Sequence, residues 1–543
     1  MSSHEKVLRR LLVVVGIAVG VGMRIWILRV PLLGGYFDSD EAVPGLMARH
    51  FLHGEWSTFY WGQAYGGTAE VALVAVLFGI VGSGILVLRL LPIALYALAA
   101  LLVWRVGRRT IGEPGATVAS LLFWISPAYF VFRSTREYGY QGVLLVLGIA
   151  ILLLALRLAE QPTRRDAASL GLVLGLAWWT SIQSGLVALS ALVWLACRQR
   201  RLWRLSWLIA LTACAGAFPW FRWNLHNHWS SLHVESTQPR MDYGSRLGIF
   251  FTDALPTSLG LRVPFHLDWL PSPTAGKIIF VLLGAALAAT LLRRLYPLEL
   301  VAAVVLPYPF LYAISSFTAN PLEPRYLLLL APLLALLLGA LLANLRVAAV
   351  GLAIAASLSI IALVRVADYA AAVEAPPRLG PLLRTLDREG VTRAWADYWI
   401  AFRITFLTRE RIIVAPATYG DRYPRYKQLV EESSPSAWIF VAGTSRFASA
   451  STSEAPKMAA LLRAGFKRIH AGEYILYARP KVGKVTSGDE AAPPAVAADH
   501  AASIHQVASF TLPPPPQDRL GRARASSPSD PSEAWSSAGA RHA

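Results

Sequence analysis

Asp38, Asp40 and Glu41 fall within the hexapeptide FDSDEA, just beyond the first apolar stretch of the chain. A charge at the centre of a bilayer costs at least ~2.5 kcal/mol, and less at its edge. Three carboxylates at the outer end of a hydrophobic helix therefore point to a working group. A carboxylate in that position can act as a general base on a hydroxyl. The following segment, DEAVPGLMARHFLHGEW, has Val43, Leu46, Met47, Ala48 and Phe51 at helical spacing, which predicts an amphipathic helix in the outer interface with Asp40 as N-cap. STFYWGQAYGGTAE then sets Tyr60, Trp61, Gln63 and Tyr65 among glycines. That mixture suits stacking and hydrogen bonding to a sugar, and equally suits an aromatic belt at the headgroups.

Two further clusters fall on the same side. FRSTREYGYQ supplies Arg133, Arg136, Glu137 and Tyr138, with Glu137 either orienting a ligand or closing an ion pair with an arginine. NPLEPRYL places Arg325 and Tyr326 at the start of an apolar run. A guanidinium there can hold a phosphate through two parallel hydrogen bonds; the alternative is an anchoring arginine that snorkels to the headgroups.

The elements that position these groups are membrane-spanning. The chain has 543 residues and is 55% hydrophobic, with a mean hydropathy of +0.47. Runs 115–132, 138–156, 205–221, 300–322, 326–345 and 347–364 carry no charged residue, and runs of this length read as transmembrane helices. Runs 11–23, 90–104 and 278–292 are shorter and are extended by their flanks. Segment 167–197 is too long for one crossing and holds Thr180, Ser181, Gln183, Ser184 and Gly185 near its middle, so it reads as two short helices joined by a polar turn. The expected count is eleven crossings. Basic clusters at Lys6–Arg10, Arg105–Arg109, Arg157–Arg165, Arg198–Arg204 and Arg293–Arg294 alternate onto one side, which makes that side and the N-terminus cytoplasmic.

A net charge of +18 fits cytoplasmic anchors on anionic headgroups, and no nucleic-acid-binding motif is present. The first apolar run lacks a small-residue cleavage site and is expected to stay as an uncleaved span. Cys197 and Cys214 lie in apolar helices and are expected to be buried thiols without a disulfide. From 375 to 480 strand-like TRAWADYW, RIIVAP and AWIFVAG alternate with helix-like PLLRTLDREG, RYKQLVEE and PKMAALLRAG, followed by a closing GEYILYARP, which predicts a small α/β domain. Beyond 481, Ala, Pro, Ser and charge dominate, as in disordered chains. The expected organisation is an α-helical polytopic domain (1–370), an extracytoplasmic α/β domain (371–480) and a disordered tail (481–543).

A short first span, an outer "DE" opening an interfacial helix, a G-E-W tail and a helix leading into a basic-ended span together resemble the GT-C membrane glycosyltransferases. The branch most resembled is that of the protein O-mannosyltransferases and aminoarabinose transferases. The likeness covers about residues 5–370 as architecture and is motif-specific at FDSDEA…HGEW, SPAYFVFRSTREYGY, PWFRWN and EPRYLLLLAP. Asp38 is an added acid, and YWGQAYGGTAE replaces the usual proline-bearing stretch. The resemblance implies a polyprenyl-phosphate sugar as donor, with transfer at the extracytoplasmic face of the cell (inner) membrane and Asp40 as general base. Glu41 and Glu137 would support Asp40. Arg325 and Tyr326 would hold the lipid phosphate, and Asp38, Gln63, Tyr65, Arg136 and Tyr138 would line the substrate site. The acceptor, whether protein, lipid or polysaccharide, stays open.

His226-x-His228 invites a metal reading, but no third and fourth ligands accompany it. No tightly held metal is therefore expected, with room left for a divalent cation bridging donor phosphate and carboxylates. Two other functions remain: a flippase of lipid-linked saccharide, and a non-catalytic sugar-lipid binding partner. A flippase would want charge spread through the midplane, whereas the polar groups gather at one face.

Overall fold

The computed structural model describes residues 3–479, apart from 32, 34–35, 235–240, 319–323, 373–376, 418–419, 434–435 and 443–454. The tail expected to be disordered lies outside them. The chain begins with α1 (Ser3–Arg29), α2 (Ser39–Leu52), α3 (Ala69–Val81) and α4 (Ile85–Thr110), followed by α5 (Gly112–Ile125), α6 (Ala128–Arg133) and α7 (Gln141–Glu160). Then come α8 (Arg164–Thr180), α9 (Gly185–Arg198), α10 (Ser206–Gly216), α11 (Phe218–His226), α12 (Tyr243–Ile249) and α13 (Leu255–Ser258). The helical part closes with α14 (Pro273–Arg293), α15 (Leu295–Val305), α16 (Tyr308–Ile314), α17 (Ala331–Leu341) and α18 (Leu345–Ala372).

Among the described residues, six helical segments are long and apolar enough to cross a membrane: α1, α4, α7, α14, α15–α16 together and α18. The count becomes seven if the bent pair 182–198 and 200–216 forms one span. Proline and glycine account for the shortness of several others. The run 115–132 is interrupted at Pro127, which divides α5 from α6. The run 167–197 breaks between Thr180 and Gly185, where the Ser181 hydroxyl accepts from the Gln183 amide, so its polar centre does form a turn. Cys197 and Cys214 are exposed on their helices rather than buried.

Helix α2 departs most from the sequence reading. Its N-cap is Asp38, whose side chain accepts from the Glu41 amide at 2.7 Å, and not Asp40. Asp40 and Glu41 instead occupy the first turn, where negative charge complements the helix dipole. Pro44 removes the N–H that would have bonded the Asp40 carbonyl, and the Tyr60 hydroxyl donates to that carbonyl at 3.2 Å. Val43, Leu46, Met47, Ala48 and Phe51 do share a face, but they are buried against protein, in one apolar cluster with Phe402, Phe406 and Tyr426. The helix therefore lies within a protein core instead of along the headgroups.

The partner in that core is the C-terminal unit. It consists of α19 (Leu379–Glu389), β1 (Arg393–Ala396), α20 (Tyr398–Leu407), β2 (Ile413–Pro416), α21 (Pro424–Glu432), β3 (Ala437–Val441), α22 (Ala455–Arg463), β4 (Lys467–Ala471) and β5 (Tyr474–Ala478). The sheet order is β2-β1-β3-β5-β4. Strand β1 runs parallel to β2 and β3, and β5 runs antiparallel to β3 and β4. Buried Ala394, Ile439 and Leu476 pack beneath α19 and α20. The alternation of strands and helices read from sequence is present, with two additions: α20, started by Asp397 accepting from the Trp399 amide at 2.9 Å, and the edge strand β4.

Candidate active site

Five carboxylates gather near the junction of α2, α3 and the turn after α6, and their surroundings separate them. Asp38 is 1% exposed and Glu41, Glu70 and Glu137 are at most 1%. The Asp40 side chain is 23% exposed. Only a carboxylate that solvent or substrate can reach is able to take a proton from an acceptor.

Glu41 anchors the site. Its carboxylate accepts from Arg89 Nε at 2.8 Å and Arg89 Nη2 at 2.6 Å, and also from Arg136 Nη1. Burial pushes its pKa upward, but Arg136 and Arg89 outweigh that and hold it below the usual carboxylate range. The sequence placed Arg136 among substrate contacts. Its guanidinium is instead spent on Glu41 and on the Tyr36 and Leu33 carbonyls. Asp38 is likewise committed to capping α2 and to the Tyr138 hydroxyl, which donates to it at 3.2 Å. Burial, then the charges of Glu41 and Asp40, push Asp38 up to about 7.

Glu137, expected either to orient a ligand or to close an ion pair with an arginine, forms no such ion pair among the described residues. It accepts from the Gly139 amide at 2.8 Å and faces Glu70. Burial and the neighbouring Glu70 raise its pKa well above the carboxylate range. Glu70 in turn accepts from the Val143 amide at 2.9 Å. That bond ties α3 to the first turn of α7.

Asp40 is left facing the open side. The Tyr398 hydroxyl donates to its Oδ1, and Arg422 Nη2 stands 4.0 Å from the same oxygen. A cavity of about 360 Å³ has walls that include Tyr65, Tyr140, Trp178, Trp179, Trp220 and Tyr326. Such a volume lies in the range of small-molecule sites. Tyr65 connects the groups, because it feels the charges of Arg422, Arg325 and Asp40 together. Arg325 lies in a turn, Arg325–Leu327, with its guanidinium 5.2 Å over the Tyr326 ring. The Tyr326 carbonyl is held by the Tyr308 hydroxyl at 2.6 Å and by Gln183 at 2.9 Å. Gln63 sits in the tight turn that closes on the Tyr60 carbonyl, its side chain half-buried. Among the described residues, no three His, Cys, Asp or Glu side chains come together as a metal site.

The family model for dolichyl-phosphate-mannose-protein mannosyltransferases matches residues 71–223. A crystal structure of ArnT from Cupriavidus metallidurans bound to undecaprenyl phosphate superposes with a TM-score of 0.59 at 13% identity, covering 86% of this chain and 97% of that one. The same protein in its apo state gives 0.58 at 12% identity, again covering 86% and 97%. The chain has the GT-C fold. The oligosaccharyltransferase of Archaeoglobus fulgidus aligns at a TM-score of 0.46 with 13% identity, over 81% of this chain and 70% of that one. No curated protein matches the sequence.

Within this GT-C bundle, sequence reasoning missed four groups that shape the site: Arg89, Glu70, Tyr398 and Arg422. Two of them carried a signal. Arg89 is a lone charge inside an apolar helix, and Glu70 opens another, and an ionisable residue in such a place wants a partner. Tyr398 and Arg422 carried none, since both sit in a unit read as separate from the bundle.

Proposed function

We propose that this multi-pass membrane protein is an inverting glycosyltransferase that moves a sugar from a polyprenyl-phosphate donor to an acceptor hydroxyl at the extracytoplasmic face. The observation that carries the reading is the sorting of the carboxylates: Asp40 alone of the five is open, and its charge is felt by Tyr65, which lines an aromatic cavity. The acceptor hydroxyl attacks the anomeric carbon while Asp40 takes its proton. The bond to the lipid phosphate breaks from the opposite side, which inverts the anomeric centre. Arg325 meets the charge that grows on the departing phosphate. Among the five carboxylates gathered here no second one is open to form a glycosyl-enzyme, as retention through a covalent intermediate would need.

The ArnT structure that shares this fold is bound to undecaprenyl phosphate, and a polyprenyl phosphate fits the aromatic cavity in character, with the charges of Arg325 and Arg422 felt at Tyr65 in its wall. The arginines supply the positive charge the leaving phosphate needs, so the reaction as proposed uses no resident metal. On the expected eleven crossings from a cytoplasmic N-terminus, residues 371–480 would lie outside the cytoplasm of the cell membrane, on the side of Asp40. The deciding experiment compares cell-envelope glycans and glycoproteins of a deletion strain, its parent and a strain carrying Asp40→Asn, by mass spectrometry. A glycan lost in the deletion and in Asp40→Asn is expected. Identical profiles in parent and deletion strain would remove the function, and restoration by Asp40→Asn would remove the base.

A further inference from the structure

Two side chains from the C-terminal unit reach the proposed base. Tyr398 is the first residue of α20, and the cap at Asp397 aims that first turn at α2. Its hydroxyl donates to Asp40 Oδ1, while its carbonyl accepts from the Ser39 hydroxyl at 2.6 Å. Arg422 Nε donates to the Tyr398 hydroxyl at 3.3 Å. The result is a directed chain, Arg422 to Tyr398 to Asp40 Oδ1, built of groups at most 8% exposed apart from the carboxylate itself.

The surrounding contacts fix this chain in place. Gly62 has φ +68 and sits so close that a Cβ there would come within 2.9 Å of the Arg422 Cα and the Asp421 carbonyl. Only glycine fits both that backbone and that gap. Next to it, Trp61 stacks on Tyr423 with centroids 4.1 Å apart. Arg49 donates to the Phe406 carbonyl at 2.8 Å. The loop between α2 and α3, the C-terminal half of α2 and the C-terminal unit therefore meet as one packed body.

We propose that the C-terminal unit is an integral part of the active site, with Tyr398 as a positioning residue for Asp40 and Arg422 as the residue that orients Tyr398. The proposal rests on the reading of Asp40 as base. A carboxylate gripped at Oδ1 presents Oδ2 to the acceptor in one orientation. Misplacing a reacting group by about 1 Å costs on the order of a hundredfold in rate, so a grip of this kind is worth keeping. The unit does not merely lie over the site as a lid: it fixes the direction of the base.

The test uses full-length protein in membranes of the deletion strain, with the endogenous lipid-linked donor and acceptor, and product rate by mass spectrometry. Purified protein is titrated in parallel with undecaprenyl phosphate. Tyr398→Phe keeps the ring and loses the donor; the rate should fall about ten- to a hundredfold while undecaprenyl phosphate affinity stays at the wild-type value. Tyr423→Phe is the control, because it removes a hydroxyl from the same interface that bonds Glu55 and not Asp40; its rate should match wild type. Arg422→Lys should retain more activity than Arg422→Met. A wild-type rate in Tyr398→Phe overturns the proposal, as does an equal loss in Tyr398→Phe and Tyr423→Phe, which would mean that docking alone matters. If Asp40→Asn is inactive and Tyr398→Phe is not, only this inference falls. If Asp40→Asn is active, the reading of Asp40 falls with it.

Discussion

Glu41→Gln and Asp40→Asn change neighbouring residues by the same chemistry and should fail in opposite ways. Glu41 is fully buried and receives three hydrogen bonds from two guanidiniums, Arg89 and Arg136. A glutamine there keeps the shape, loses the charge, and turns N–H groups toward N–H groups. Breaking a buried ion pair by neutralising one partner costs about 3–5 kcal/mol, or roughly 10²- to 10⁴-fold in the folded-to-unfolded ratio. Set against a typical total of about 5–15 kcal/mol, that is a large share. Asp40 is partly open, and an amide oxygen can accept from the Tyr398 hydroxyl as the carboxylate does. Asp40→Asn should therefore cost no more than about 1 kcal/mol, while the rate drops by ~10²–10⁴. The assay is a thermal unfolding scan of both variants and wild type in one detergent, paired with product formation in membranes. Glu41→Gln melting together with wild type would refute the anchoring role, and an Asp40→Asn protein that unfolds early would refute the division of labour between the two.

Three further outcomes follow from the geometry. Arg325→Ala should weaken undecaprenyl phosphate binding by about ten- to a hundredfold, the worth of a charge-assisted contact at roughly 1.5–3 kcal/mol, with Arg325→Lys recovering part; equal affinity in all three forms would return Arg325 to an anchoring role. His50 contacts Glu55 at 2.6 Å, Glu410 at 3.0 Å and Tyr426 at 3.2 Å, with Arg49 nearby. Burial pulls its pKa down, but the hydrogen bonds and charges of Glu410 and Glu55 outweigh that and raise it. A raised pKa means stabilisation that is full below about 6.5 and lost as pH climbs through the folded value. Protease release of residues 379–479 should accordingly quicken at alkaline pH in wild type and lose that dependence in His50→Gln; equal cleavage at acid and alkaline pH would sink this. A phosphatase-type reporter fused near Gly390 should be active only if that unit lies outside the cytoplasm, and a silent reporter would mean the crossings are miscounted by one.

The sequence made the membrane class, the broken segment 167–197 and the α/β character of the C-terminal unit readable, because each is a local pattern of apolar period, turn residues or strand runs. Asp40 was also readable as one of three acids in FDSDEA, although its neighbours could not be told apart from it. What separates them is who meets whom across the fold: Arg136 joins Glu41 over 95 residues and Tyr398 joins Asp40 over 358. No periodicity encodes a partner at that distance. The same blindness moved the N-cap from Asp38 to Asp40 and sent the apolar face of α2 to lipid, when Phe402 and Phe406 were waiting for it. Helix α20 was missed because AFRITFL is rich in aromatic and β-branched residues, whose intrinsic preference is for strands.

The distance in sequence between Asp40 and Tyr398 also sets a clock. At ~5–20 residues per second of synthesis, the separation of 358 residues takes about 20–70 s to be made. During that time the bundle is threaded into the membrane with the apolar stripe of α2 uncovered and the base ungripped. On the proposed reading, a nascent chain of this build carries an unaimed base until its last unit has arrived and folded. The delay also makes α2 the part of the newborn chain most in need of a chaperone. Pulse-labelled protein should stay open to protease within α2 until the full chain is released, and protection appearing before residue 398 is made would contradict this order of assembly.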